Sequence, residues 1–126
     1  MRDVIHTDKA PGAIGPYNQA ILANGTLYVS GQIPINPKTA EIISSSITDE
    51  THRVMQNLEA ILKQAEMSWE NVVKCTIFTT DISKFSELNE VYGSYFNSGR
   101  EPARECVEVS KLPKNVSVEI SLIAVK

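Results

Sequence analysis

Hydrophobic and polar positions recur with different periods along the chain, and each change of period marks an element. Val4 to His6 reads as a short strand, followed by a turn-rich stretch in which Pro11, Gly12, Gly15 and Pro16 break regularity just before Tyr17. Residues 18–23 and 26–32 are strand-like runs on either side of Asn24-Gly25, the dipeptide that most strongly marks a two-residue hairpin turn. Pro34, Pro37 and polar residues up to Ser46 make a long connection with a small excursion at 38–43. The period then becomes helical: Val54, Leu58, Ile61, Leu62 and Ala65 share a stripe, with Thr48 as the expected cap and Asp49 and Glu50 in the first turn. Residues 72–79 are a β-branched run. Asp81 to Ser83 supplies capping chemistry for a second helix with the stripe Phe85, Leu88, Tyr92, Tyr95 and Phe96, ending before Gly99.

Two further runs close the chain. In the first, Arg104, Cys106 and Glu108 fall on one face and Val107 and Val109 on the other. In the second, Val116, Val118, Ile120 and Leu122 form an apolar face, and Ser117, Glu119 and Ser121 a polar one. The short connection SKLPKN suggests an antiparallel hairpin, although another strand can lie between the two runs. In a hairpin of matching register the two polar faces would coincide, placing Arg104 beside Glu119 and Cys106. The whole pattern predicts an α+β sandwich with two helices on one face of a mixed six-stranded sheet. The other sheet face is semi-polar and unpartnered, which predicts burial against another subunit of a homo-oligomer.

Composition narrows the function classes. At 126 residues the chain is expected to form a single domain over 1–126 with a real core. A net charge of −3, no basic run and few aromatics give no electrostatic footprint for nucleic acid or for an anionic membrane surface. No apolar run approaches the ~20 residues that span a bilayer, and the N-terminal segment lacks a signal or transit pattern, so the expected address is cytoplasmic unless a presequence has been removed. Cys75 and Cys106 sit in separate predicted strands and do not suggest a disulfide framework. His6 and His52 lack partners at ligand spacing, so a metal site has little support. There is no glycine-rich phosphate loop and no Gly-x-Ser-x-Gly turn.

An arginine fork beside a carboxylate and a thiol is suited to holding a small carboxylic acid and activating a group next to it. The ordinary alternative is a solvated strand face with a surface Arg–Glu pair. Four ordered blocks shift the balance: APGAIGPYNQA at 10–20, VSGQIPINPKT at 29–39, VVKCTIFTTDISKFSELNEVYGSYF at 72–96 and PARECVEVSKLPKNVSVEI at 102–120. Through them the chain resembles, essentially end to end, the RidA (YjgF-type) family of reactive-intermediate deaminases. The resemblance implies a chorismate-mutase-like fold assembled as a homotrimer, with active sites in clefts between subunits. It also implies hydrolysis of 2-imino acids or their enamine tautomers, released by pyridoxal-phosphate dehydratases, to 2-oxo acids and ammonia. No cofactor and no metal is implied.

Carried over by residue, Arg104 matches the arginine that binds the substrate carboxylate, and Glu119 the carboxylate that orients and activates the attacking water. Tyr17, Ser30, Gly31, Asn89 and Cys106 resemble the pocket lining, Gly31 and Cys106 through their backbone groups. Each also has a plain structural meaning: Tyr17 as packing under its Gly-Pro turn, Ser30 and Gly31 as a strand end, Asn89 as helix surface, Cys106 as a small buried hydrophobe. The chain departs from the family pattern at Ser121, where a second acid is common, at Glu105, where a small residue is common, and at Ala40, where glycine is frequent. Glu105 is expected on the face opposite Arg104. Competing functions are capture of a small carboxylate without chemistry, and a protein-interaction role that nothing in the sequence encodes.

Overall fold

A computed structural model describes residues 2–126. Eight elements follow one another: β1 (Arg2–Ile5), β2 (Ala20–Ala23), β3 (Thr26–Gln32), α1 (Ile47–Gln64), β4 (Val72–Thr79), α2 (Phe85–Gly93), β5 (Ala103–Glu108) and β6 (Val118–Val125). The strands form one six-stranded sheet in the order β1-β2-β3-β6-β4-β5. Only the β4–β5 pair is parallel, so the sheet is mixed as the pattern predicts. The hairpin at Asn24-Gly25 forms, with both residues at positive φ, 52° and 79°, as a tight primed turn requires.

The last two runs do not pair. β4 lies between them, parallel to β5 and antiparallel to β6. The short linker cannot decide this, because β5 enters the sheet in the direction of β4 and the chain must cross back to reach β6. One register consequence governs the site. Cys75 of β4 opposes both Arg104 and Leu122, whereas Phe78 opposes both Val107 and Glu119. Opposed residues share a face, so Arg104 and Cys106 lie on the helix side while Glu119 lies on the open side. The expectation that their polar faces coincide within one chain is therefore overturned.

Alternation along the strands buries Ala20, Leu27, Val29, Cys75, Ile77, Ile120 and Leu122 under the helices. They meet Val54, Met55, Leu58, Ile61 and Leu62 of α1 in one cluster. Two buried amides organise the connections around this core. Asn57 Nδ2 donates to the carbonyls of Ile33 (3.2 Å) and Ile35 (3.0 Å). Gln19 Nε2 donates to those of Thr7, Ala10 and Pro11, and its Oε1 accepts from Thr7 N–H. The 38–43 excursion is a small turn closed by an Ile35–Ile42 bridge, with Ala40 in the left-handed region at φ 62°. That conformation crowds the Ala40 Cβ, which a glycine there would relieve.

Helix boundaries differ from the expected ones at the caps. Ser46, not Thr48, caps α1: its Oγ accepts from Asp49 N–H at 3.0 Å, and the helix starts at Ile47. Ser46→Ala should lower stability by about 1 kcal/mol, read as a shift of the denaturant midpoint at unchanged slope. Asp81 caps a 3-10 turn at Ile82–Lys84 that leads into α2. That helix ends at Gly93, so Tyr95 and Phe96 lie beyond it, and Val91 rather than Phe85 joins Leu88 and Tyr92 in the buried stripe. β1 runs from Arg2 rather than from Val4, and β2 begins at Ala20. Cys75 and Cys106 are free and lie in β4 and β5. Among the described residues no helix is long and apolar enough to cross a membrane.

Candidate functional site

Arg104 sits on the edge strand β5 beneath α2. Its Nη1 donates to Asn89 Oδ1 at 2.7 Å, and its guanidinium carbon lies 4.9 Å from the Tyr92 ring centre and 5.4 Å from that of Phe85. Phe85, Asn89 and Tyr92 fall at i, i+4 and i+7 of α2, one helical stripe, so a single helix face holds the whole cradle. Among the described residues Arg104 has no carboxylate within ion-pair distance. A half-buried cation in such a cradle keeps a fork of donors for an external acid.

Cys106 lies two residues along the same face, half-buried. Burial pushes its thiol pKa up, with Arg104 pulling the other way. It stays protonated near neutral pH, so its side chain is a poor nucleophile. Cys75, beside Tyr92, is buried and shifted upward for the same reason.

A second group gathers on the open face. Glu119 of β6 lies against Gly31 of β3: a Cβ built on Gly31 would overlap Glu119 Oε2 and come within 2.8 Å of its Cδ. Gly31 is thus required for close approach, and not for an unusual backbone angle. Burial raises the Glu119 carboxyl pKa above the ordinary range, which makes the carboxylate a stronger base than an exposed one. Ser30 Oγ donates to the Asn18 carbonyl at 2.6 Å, so its proton is used locally and its lone pairs remain. Tyr17 is 45% exposed, and its hydroxyl accepts from Ile14 N–H at 3.3 Å. Tyr17 and Ser30 line an open cleft of about 420 Å³ with Asn18 and Tyr28.

The seven expected site residues therefore separate into two half-sites: Arg104, Asn89 and Cys106 on the helix side, and Tyr17, Ser30, Gly31 and Glu119 toward the open side. The open face also carries Val4, Tyr28, Val107 and Val125, exposed by 56, 51, 44 and 37%, an apolar surface of the kind that partners cover. Glu105 points to this face, as expected, where Thr76 donates to it and Lys74 Nζ approaches its carboxylate at 3.0 Å. These contacts hold its pKa below the usual range, the Thr76 hydrogen bond contributing most. Ser121 shares that row through Thr76. Sequence reasoning assigned Phe85 and Tyr92 to the helix stripe and did not see their contact with Arg104. It also passed over Gln19 and Asn57, whose one signal was a polar side chain on an otherwise apolar face.

Comparison with known proteins gives the chain its relatives. The family model described as Endoribonuclease L-PSP matches residues 7–126. The human 2-iminobutanoate/2-iminopropanoate deaminase is 43% identical over 126 residues, covering 100% of this chain and 91% of the human protein. A Yersinia pestis structure of the conserved Rid protein family is 48% identical, covers 100% of both chains and superposes with a TM-score of 0.97. The structure of E. coli TdcF with bound serine is 40% identical over 98% of both chains, with a TM-score of 0.93. The chain belongs to this family, the RidA or YjgF family that its four sequence blocks resemble.

Proposed function

We propose that the protein hydrolyses 2-imino acids such as 2-iminobutanoate and 2-iminopropanoate, or their enamine tautomers, to 2-oxo acids and ammonia, at sites completed between the subunits of a homotrimer. The observation that carries this reading is Arg104, cradled by Asn89, Tyr92 and Phe85 yet lacking an acid partner among the described residues. Its remaining N–H groups suit a substrate carboxylate, which fixes the neighbouring imine carbon in place. Glu119 of an adjacent subunit then accepts a proton from water as the water oxygen bonds to that carbon. Glu119 returns that proton to the nitrogen of the carbinolamine and takes up the hydroxyl proton as the C=O bond forms and the C–N bond breaks, and ammonia leaves with the bonding electron pair. An iminium carbon is already electrophilic, so positioning supplies most of the acceleration.

The human relative's activity supports the reaction class. The two half-sites and the apolar open face support assembly, since neither half alone holds both anchor and base. A cytosolic address, beside the dehydratases that release such intermediates, fits the same reading. The net charge of −3 gives RNA no electrostatic footprint. Serine bound in TdcF supports a second reading, capture of a small carboxylate without turnover.

Generating 2-aminocrotonate from threonine with a dehydratase and following 2-oxobutanoate separates the two readings. Acceleration by the wild-type protein is expected; none from a folded oligomer would leave only binding. Light scattering should give three times the 13.9 kDa chain mass, and a monomer would remove the shared site.

A further inference from the structure

We infer that Tyr92 is the positioning residue for Arg104, its ring holding the guanidinium where an incoming carboxylate finds it. The inference rests on the reading of Arg104 as a carboxylate anchor. Tyr92 is only 4% exposed, and its ring centre lies 4.9 Å from the guanidinium carbon on one side. The Phe96 ring centre is 5.0 Å away and backs it. The Tyr92 hydroxyl is buried, and the one polar group beside it is the Cys75 thiol, a weak hydrogen-bond partner. A buried phenol whose oxygen meets only a thiol gains little from it, and its ring carries the contact with Arg104. That ring offers a negative face to a planar cation, and among the described residues no other packed side chain does so: Phe85, the second ring, is 39% exposed and 5.4 Å away. Asn89 restrains one edge of the fork through a single hydrogen bond, which permits rotation about Nη1 that the ring blocks.

A ring that acts through Arg104 stabilises bound carboxylate in ground and transition states alike, so its loss should raise KM and leave kcat nearly unchanged. The test uses the full-length oligomer and two readouts: the Kd for 2-oxobutanoate by calorimetry, and kcat and KM with dehydratase-generated substrate. Tyr92→Phe should stay within about twofold of wild type in both and melt at nearly the same temperature, because the hydroxyl it loses meets only the weakly polar Cys75 thiol. Tyr92→Leu should weaken Kd and KM about tenfold or more, the size of a desolvated cation–π contact, with kcat within about threefold. Because Tyr92→Leu opens space in the core, a second series keeps the shape: phenylalanine and then increasingly fluorinated phenylalanine at position 92, each step drawing charge from the ring face. Kd should rise stepwise along it. A Kd indifferent to fluorination would overturn the inference, as would Tyr92→Phe losing as much as Tyr92→Leu. The calorimetry needs no turnover, so a wild type that binds 2-oxobutanoate but does not hydrolyse imine would defeat the deaminase reading while leaving the role of Tyr92 measurable. A wild type that binds no carboxylate would overturn the role itself.

Discussion

Arg104→Ala should abolish measurable acceleration of 2-oxobutanoate formation while leaving the protein folded. Truncating one member of a hydrogen-bonded charge pair costs about 2–5 kcal/mol, roughly 30- to several-thousand-fold in kcat/KM. The substrate offers no second group of comparable strength to compensate. The fold loses much less. Arg104 is on an edge strand, half-buried, with no ion pair to another residue of the described chain, and its contacts with Tyr92 and Phe85 are worth about 1–2 kcal/mol. A melting transition within a few degrees of wild type, with turnover gone, is the expected pair of results. Retained turnover would show that the carboxylate is held elsewhere.

Glu119→Gln should reduce kcat by about 10²–10⁴, the usual contribution of a positioned base. Its pH signature is opposite in sign for activity and for stability. Burial raises the Glu119 pKa, so the acid limb of kcat/KM should lie above the ~4.3 of an ordinary glutamate and vanish in the glutamine variant. For stability, a folded-state pKa above the unfolded one favours the fold at low pH, and that contribution is lost as pH rises through the folded value. Glu119→Gln should therefore melt slightly higher than wild type at neutral pH while being far less active. Gly31→Ala reaches the same carboxylate without touching it chemically. The new methyl would overlap Glu119 Oε2, the far end of a flexible side chain, so the carboxylate yields and the strands hold. A displacement near 1 Å can cost about 10²-fold in rate.

The elements of this fold were legible because their signals are local. Asn24-Gly25 demands a turn, the stripe Val54-Leu58-Ile61-Leu62 demands a helix, and alternation in 116–122 demands a strand. The position of β4 between β5 and β6 was not legible, since strand order depends on non-local pairing that no residue in the SKLPKN linker encodes. That one misplacement changed the site: a β5–β6 hairpin puts Arg104 beside Glu119, whereas the inserted strand sends them to opposite faces. The Ser46 cap was displaced to Thr48 because both residues have the right chemistry and only the backbone shows which hydroxyl meets Asp49 N–H. Strand alternation singled out Arg104 and Glu119, only resemblance weighed them as site residues over a solvated surface pair, and the cradle of Phe85 and Tyr92 around Arg104 required coordinates.

If anchor and base come from different copies of the chain, two inactive variants should complement each other when mixed. Arg104→Ala and Glu119→Gln proteins are unfolded together, refolded as mixed oligomers and assayed against each variant refolded alone. If Arg104 of one subunit works with Glu119 of its neighbour, about a quarter of the interfaces in an equal mixture draw two intact halves, and about a quarter of wild-type turnover should return. Mixed oligomers that form, as mass spectrometry would show, yet remain as inactive as their parents would place both residues in one chain and contradict the account.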